Sequence, residues 1–430
     1  MKRFFVRTYG CQMNELDSEV MAGLLQERGL VQTDDEEAAD LLLFNTCSIR
    51  DLAERKVMGK LGKLASRKKT QIIGVTGCMA NAKKETLFRK LPHVDFVLGT
   101  NNIHDLNTVL DEVLEQRSQV LRTDDQFSQE LDYTVAKRQD KYKAYVSIIR
   151  GCDKYCTYCV VPYTRGKEVS RPVDSILEEC QKLVDQGYKE ITLLGQNVNS
   201  YGKDNQDIRF HDLLYQLDKI NDLNRIRFLT SHPVDITREL MEAIRDLDSL
   251  CEHVHFPLQA GSSRILRKMH RIYKKEEYYE KVAMLREIVP NVALGTDMIV
   301  GFPTETEEEF EETCQAMRDI RYANAFLYTY SPRKGTPAKR WVDDVPEEVK
   351  NRRHQKLLAL HQEIASELLQ EMLGQTVEVL VERRNKDGKH LKGVTRCWRN
   401  VIFEGDDSLI GTLQQIKLHS FSHNTLIGIS

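Results

Sequence analysis

The sequence predicts an α/β protein with an N-terminal parallel βαβ domain (residues 1–117), a linker (118–137), a central partial (β/α)6 barrel (138–368) and a small C-terminal all-β barrel (371–430). Three observations predict this. Strand-like runs alternate with amphipathic helical stretches at the start of the chain, and again on a larger scale from Tyr142 onward. After Gly374 the pattern changes to short strands alone. Cysteines and polar clusters recur where strands end, the place where parallel sheets and barrels carry their chemistry.

A chain of 430 residues is too long for one compact core. With 30% charged and 41% apolar residues it has a globular composition, and no apolar run is long enough to span a bilayer. The first residues, Met1 to Arg7, enter a strand-like run instead of a secretory segment. The expectation is a cytoplasmic protein without membrane association. The formal net charge is −3, so any nucleic-acid contact must come from a local patch. Ten cysteines in a reducing compartment are buried thiols, reactive thiols or metal ligands rather than disulfides.

In chain order, strands are expected at 3–8, 41–45, 72–75 and 95–98, with helices at 14–29, 50–67, 81–91 and 103–116 between and after them. Residues 118–137 are polar and aperiodic, which reads as a linker. Six further strands are expected at 144–149, 190–194, 225–229, 253–256, 295–300 and 325–330, a number suited to a partial barrel. They lead into Arg150-Gly151-Cys152, Gly195-Gln196-Asn197, Ser231-His232-Pro233, Pro257-Leu258-Gln259, Gly301-Phe302-Pro303 and Ser331-Pro332-Arg333. A charged helix over 346–373 precedes five short strands at 376–382, 395–400, 401–404, 414–419 and 425–429.

The sharpest motif is Cys152-Asp-Lys-Tyr-Cys156-Thr-Tyr-Cys159, a C-x3-C-x2-C loop directly after a strand. Three thiolates on one short loop suit three irons of a 4Fe-4S cluster and leave the fourth iron open. Structural zinc, the alternative, takes four ligands and favours C-x2-C pairs. Cys11, Cys47 and Cys78 form a second, dispersed set, each just past a strand and about one βα unit from the next. In a parallel sheet such positions converge at the carboxyl edge. A second cluster is favoured there over three ordinary buried thiols. Cys180, Cys251, Cys314 and Cys397 show no comparable company. Arg383, Arg384, Lys386, Lys389, Lys392, Arg396 and Arg399 crowd one hairpin of the C-terminal barrel together with Trp398, a mixture suited to RNA phosphates and stacked bases. A second basic run, Arg55 to Lys69, is expected to be simply exposed.

The loop from Arg150 through Cys159 to Val160-Val161-Pro162-Tyr163-Thr164-Arg165-Gly166 resembles the cluster-binding loop of radical S-adenosylmethionine enzymes, and among them that of the methylthiotransferases. Thr8-Tyr9-Gly10-Cys11-Gln12-Met13-Asn14, Asn45-Thr46-Cys47-Ser48-Ile49-Arg50 and Gly77-Cys78-Met79-Ala80 resemble that family's N-terminal domain, and the tail resembles its RNA-binding TRAM module. Segments such as Leu194 to Tyr201 and Thr230-Ser231-His232-Pro233 are most similar to the branch acting on N6-dimethylallyladenosine in tRNA. Ala260 and Lys334 depart from that pattern, where serine and proline are expected.

The resemblance implies methylthiolation of C2 of N6-dimethylallyladenosine at position 37, beside the anticodon. The alternatives are the same chemistry on threonylcarbamoyl-adenosine or a ribosomal-protein aspartate, or a zinc and RNA-binding protein without catalysis. It implies two 4Fe-4S clusters, one on Cys152, Cys156 and Cys159 and an auxiliary one on Cys11, Cys47 and Cys78, with no catalytic side chain beyond their ligands. S-adenosylmethionine would bind the open iron of the first, contacted by Gly195, Gln196 and Ser231. Arg383, Arg384, Lys389, Lys392, Arg396, Trp398 and Arg399 would bind tRNA. The expected partners are tRNA and an electron donor such as a flavodoxin or ferredoxin, with the enzyme itself a monomer.

Overall fold

The computed structural model describes residues 1–48, 51–68, 70–123, 138–204 and 208–429. Ile49 and Arg50 after Cys47, Lys69 of the basic run and most of the expected linker fall outside them. The first unit is a six-stranded, wholly parallel sheet in the spatial order Val31–Gln32, Arg3–Thr8, Leu41–Thr46, Ile72–Gly77, Phe96–Leu98, Val120–Arg122. Its central strands are buried on both faces, as parallel strands under helices must be. Leu41 and Leu43 pack with helices Gln12–Glu27 and Leu106–Gln116, while Leu42 and Phe44 pack on the opposite side with helix Asp51–Leu64. Strand Val120–Arg122 carries this sheet past residue 117, into the stretch read as linker. Three residues are too few to show a period in the sequence.

The second unit is the expected partial barrel of six parallel strands. Lys143–Ser147, Glu190–Leu194 and Arg225–Phe228 form one half, and His253–His255, Ala293–Val300 and Asn324–Thr329 form the other. The halves meet through a bridge between Ile226 and Leu250. One large apolar core, from Ala144 to Ile364, lies between the strands and their outer helices.

Helix Glu347–Glu371 then runs the height of this barrel. Its first turns are fastened at the carboxyl end of the strands, where Arg353 meets Glu305 at 2.9 Å, and its last residues pack into the C-terminal barrel. That barrel is closed, in the order Thr376–Arg384, His390–Thr395, Asn400–Glu404, Thr425–Ile429, Leu413–Ser422. Its second strand lies at 390–395, earlier than the expected 395–400. Residues 396–399 form a tight turn, with Trp398 at φ 62° and Trp398 N donating to Thr395 O at 3.1 Å. No glycine marks this turn, so the sequence carries no signal for it.

The C-terminal barrel docks on the amino ends of the core strands. Arg225 is fully buried there, pairs with Glu378 at 2.8 Å and donates to Val394 O at 2.8 Å. Arg227 donates to the carbonyls of Thr395 and Arg396 and pairs with Glu190 at 2.9 Å. Removing one partner of a buried ion pair strands the other charge and costs about 3–5 kcal/mol. Arg225→Met is therefore expected to weaken docking by that order, read as lost hydrogen-exchange protection across residues 376–404 while the core strands stay protected.

Candidate metal centre

The Cys152 loop is held from several directions. Strand Ile149–Arg150 pairs with Val169–Ser170, and Cys152 N donates to Gly166 O at 3.1 Å, which closes the loop. Gly151 has φ 77°, and a Cβ there would stand 1.8 Å from Lys167 O, so only glycine fits. The Gln196 side-chain oxygen accepts from Gly151 N at 2.5 Å. Thr157 N donates to Met269 O at 3.0 Å, tying the middle of the loop to the opposite half of the barrel. Within the loop, Lys154 reaches the fully buried carboxylate of Asp235 at 2.8 Å. Burial alone would raise the Asp235 pKa, but hydrogen bonds from Lys154, Lys203 and Asn197 outweigh it and hold the carboxyl at about 2. Arg271 lays Nη1 3.5 Å from Cys156 Sγ and Nη2 3.1 Å from Pro257 O.

Burial pushes the Cys152 thiol up to about 12 and drives Cys159 up as well. Metal-free, these thiols keep their protons, and loading a metal displaces them.

Cys11, Cys47 and Cys78 follow three neighbouring strands of the first sheet, in register through Thr8 with Asn45 and Thr46 with Gly77. They therefore share its carboxyl edge. A Cβ on Gly10, at φ 143°, would stand 3.0 Å from Cys47 Cβ and 2.7 Å from Asn14 Oδ1, so glycine lets the first turn approach the second. Asn14 and Asn45 lock these turns with paired bonds: Asn14 Nδ2 to Asn45 Oδ1 at 3.0 Å and Asn45 Nδ2 to Asn14 O at 2.8 Å. Burial raises the Cys11 thiol, while the charge of Arg165 draws it the other way.

The chain just past the cysteine loop is bonded to the carboxyl edge of the first sheet. Thr164 O, five residues after Cys159, accepts from Asn81 Nδ2 at 2.8 Å and from Thr100 Oγ1 at 2.9 Å. Arg150 Nη2 donates to Thr100 O at 2.6 Å. Among the described residues, no three His, Cys, Asp or Glu side chains are grouped as ligands of a single metal ion. A cubane places each cysteine on a different iron.

The remaining expected contacts divide. Gly195 is where the strand ends crowd, since a Cβ there would stand 2.4 Å from Ile149 Cγ2. Gln196 is engaged by the cysteine loop. Ser231 Oγ is buried without a partner, as is the neighbouring His232 Nε2, and both suit a polar ligand at the barrel mouth. Of the basic hairpin, Arg383 and Lys389 are exposed and Lys392 is half-buried, while Arg384 pairs with Asp407 at 2.6 Å. The other three turn inward. Arg396 pairs with Glu252 at 2.8 Å, Trp398 packs on His253 with ring centroids 5.1 Å apart, and Arg399 is buried. These three build the seam between barrel and core rather than an open surface. Asp235 and Arg271 were not singled out from the sequence, because single charged residues far from the cysteine motifs carry no local signal, and Arg165 was read only as part of the loop that follows Cys159, with no role of its own.

Comparison with known proteins then decides the family. Residues 3–99 match the model of the uncharacterized protein family UPF0004, and residues 146–317 match that of the radical SAM superfamily. A tRNA-2-methylthio-N(6)-dimethylallyladenosine synthase from Protochlamydia amoebophila is 71% identical over 432 residues, covering 100% of this chain and 96% of its own. Proteins of the same name from Clostridium botulinum and Geobacillus thermodenitrificans are 45% and 46% identical, covering 99% of this chain and 96% and 83% of theirs. This chain belongs to the tRNA-2-methylthio-N(6)-dimethylallyladenosine synthase family. The fold is also that of the radical S-adenosylmethionine methyltransferase TsrM from Kitasatospora setae, solved with cobalamin and a 4Fe-4S cluster. The TM-score is 0.59 and identity 14%, over 79% of this chain and 77% of that one.

The synthase family thus accounts for a radical SAM barrel preceded by a cysteine-bearing parallel sheet. In this member the glycine before Cys152 is the most exposed point of failure. Gly151→Ala is expected to cut reconstituted iron from about eight per chain to about four, measured by iron and sulfide assay. Full loading of the variant would show that the loop tolerates a Cβ. Cluster assembly is also expected to slow as pH falls, because the buried thiols hold their protons more firmly, and a rising loading rate from pH 7 to 9 checks this.

Proposed function

We propose that this chain is a tRNA methylthiotransferase that converts N6-dimethylallyladenosine at position 37 into its 2-methylthio derivative. The reading rests on two cysteine trios at the carboxyl ends of two parallel sheets, joined through Thr164 and Arg150 at one seam. The Cys152, Cys156 and Cys159 thiolates would hold a 4Fe-4S cluster with S-adenosylmethionine, and Cys11, Cys47 and Cys78 would hold the auxiliary cluster that supplies sulfur. Together these groups, when bound, supply radical abstraction of the C2 hydrogen and delivery of the methylthio group.

The chain's own residues prepare the site. Lys154, Asp235 and Lys203 fix the cysteine loop, and Arg271 offers positive charge to Cys156. Ser231 and His232 turn buried polar atoms without protein partners toward the mouth, where the polar groups of S-adenosylmethionine would satisfy them. Trp398 lies under the guanidinium of Arg227 at 5.2 Å and against His253, at the amino end of the core strands. On the strand faces turned away from the outer helices, Asp297 bonds to His255 at 3.0 Å, and Phe326 remains 49% exposed. An aromatic face beside a carboxylate suits a splayed-out adenine.

Arg383, Lys389 and Lys392 are the proposed phosphate contacts on the C-terminal barrel. The electron comes from outside the chain, with a flavodoxin or ferredoxin as donor. The enzyme works as a monomer, and its ten free cysteines suit the reducing cytoplasm. The test is anaerobic incubation of reconstituted protein with isopentenylated tRNA, S-adenosylmethionine and reductant, followed by nucleoside mass spectrometry. The 2-methylthio nucleoside should appear and vanish with Cys152→Ala. Formation of 5′-deoxyadenosine with an unmodified nucleoside would overturn the substrate, and absence of both despite full iron loading would overturn the activity.

A further inference from the structure

The helix that follows the cysteine loop, Val161–Arg165, ends on a side chain that the loop does not use. Arg165 leaves the core and enters the edge of the N-terminal sheet, where its Nη2 meets Asp17 Oδ2 at 2.8 Å. Arg165 is 2% exposed and Asp17 is fully buried. A buried ion pair ordinarily satisfies its polar atoms, since each one left over costs on the order of 1–3 kcal/mol. This pair does not. Arg165 Nη1 and Asp17 Oδ1 are both buried, and neither has a hydrogen-bond partner.

Two of the cysteines lie close enough to act on the same guanidinium. Burial works against the charge on Arg165, but Asp17, Cys78 and Cys11, in that order, hold the guanidinium firmly protonated. Helix Cys78–Lys83 packs directly against Val161–Arg165. A carboxylate alone would neutralise the arginine, so the free Nη1 is explained by an acceptor that binds among these cysteines.

We propose that Arg165 is a positioning residue for the cluster on Cys11, Cys47 and Cys78, its Nη1 donating a hydrogen bond to that cluster's sulfur and its charge raising the cluster's reduction potential. Net charge and hydrogen bonds to sulfur are the terms that set such potentials. Asp17 offsets part of the charge. The donor comes from the core unit and the cysteines from the N-terminal unit, so the auxiliary site is electrostatically complete only across the seam. The inference rests on the two-cluster reading above.

The test uses the full chain carrying Cys152→Ala, Cys156→Ala and Cys159→Ala, in which only the auxiliary cluster loads. Iron and sulfide per chain are assayed, and the midpoint potential is read by EPR-monitored redox titration. Arg165→Met should move the midpoint negative or release the iron. Arg165→Lys should recover part of either effect, because it keeps the charge but not the fork. Asp17→Asn, which retains the guanidinium, should move the midpoint positive and serves as the test if Arg165→Met does not fold. An unchanged midpoint in Asp17→Asn, or in a fully loaded Arg165→Met, overturns the proposal while leaving two clusters in place. A parent triple variant that binds no iron overturns the two-cluster reading, and this inference with it.

Discussion

The carbonyl of Thr164 takes hydrogen bonds from Asn81 and Thr100, and Arg150 donates to the carbonyl of Thr100. These bonds join the loop that carries one cysteine trio to the sheet edge that carries the other, and the site depends on them. Each sheet by itself sets only the direction in which its strand ends point. What fastens one edge to the other is a short stretch of backbone, five residues past Cys159, that satisfies polar groups of the neighbouring unit. Arg138 reinforces the same union, bridging Glu19 of the first unit and Glu179 of the second with its side chain almost wholly buried. Buried polar contacts of this kind have one good geometry, so they confer register as well as affinity.

Much of this was legible in the sequence, for identifiable reasons. Parallel strands capped by cysteines announce themselves because the period of the apolar residues and the position of each cysteine agree. Residues 41–45 read as a strand, the structure buries Leu41 to Phe44 on both its faces, and Cys47 sits just beyond it. The glycines at positions 10 and 151 stand beside cysteines in the sequence and beside them in space. The strand of residues 120–122 was missed because it is too short to have a period.

Long-range pairing lies beyond what a linear reading reaches. Arg396, Trp398 and Arg399 have the composition of an RNA surface, and composition cannot reveal that Glu252, His253 and Arg227 wait for them on another unit. Asp235 likewise has no motif of its own. Its importance lies in the two lysines, 154 and 203, that converge on it from distant loops. Charged side chains buried between units are the class that a linear reading finds last, since their partners are set by the packing of whole elements.

The helix Glu347–Glu371 has a mechanical consequence. It is anchored at the carboxyl end of the core strands and delivers the C-terminal barrel to the opposite end, where Arg225 and Lys143 clasp it. Twenty-five helical residues span roughly 37 Å. With both ends fixed, the helix is a ruler. If the barrel's exposed basic tip holds RNA, as proposed above, that RNA would have to stretch alongside the core to reach the ends of its strands. Only a nucleotide at one distance from that backbone would then arrive there, and the target would be set by length as well as by the shape of the base.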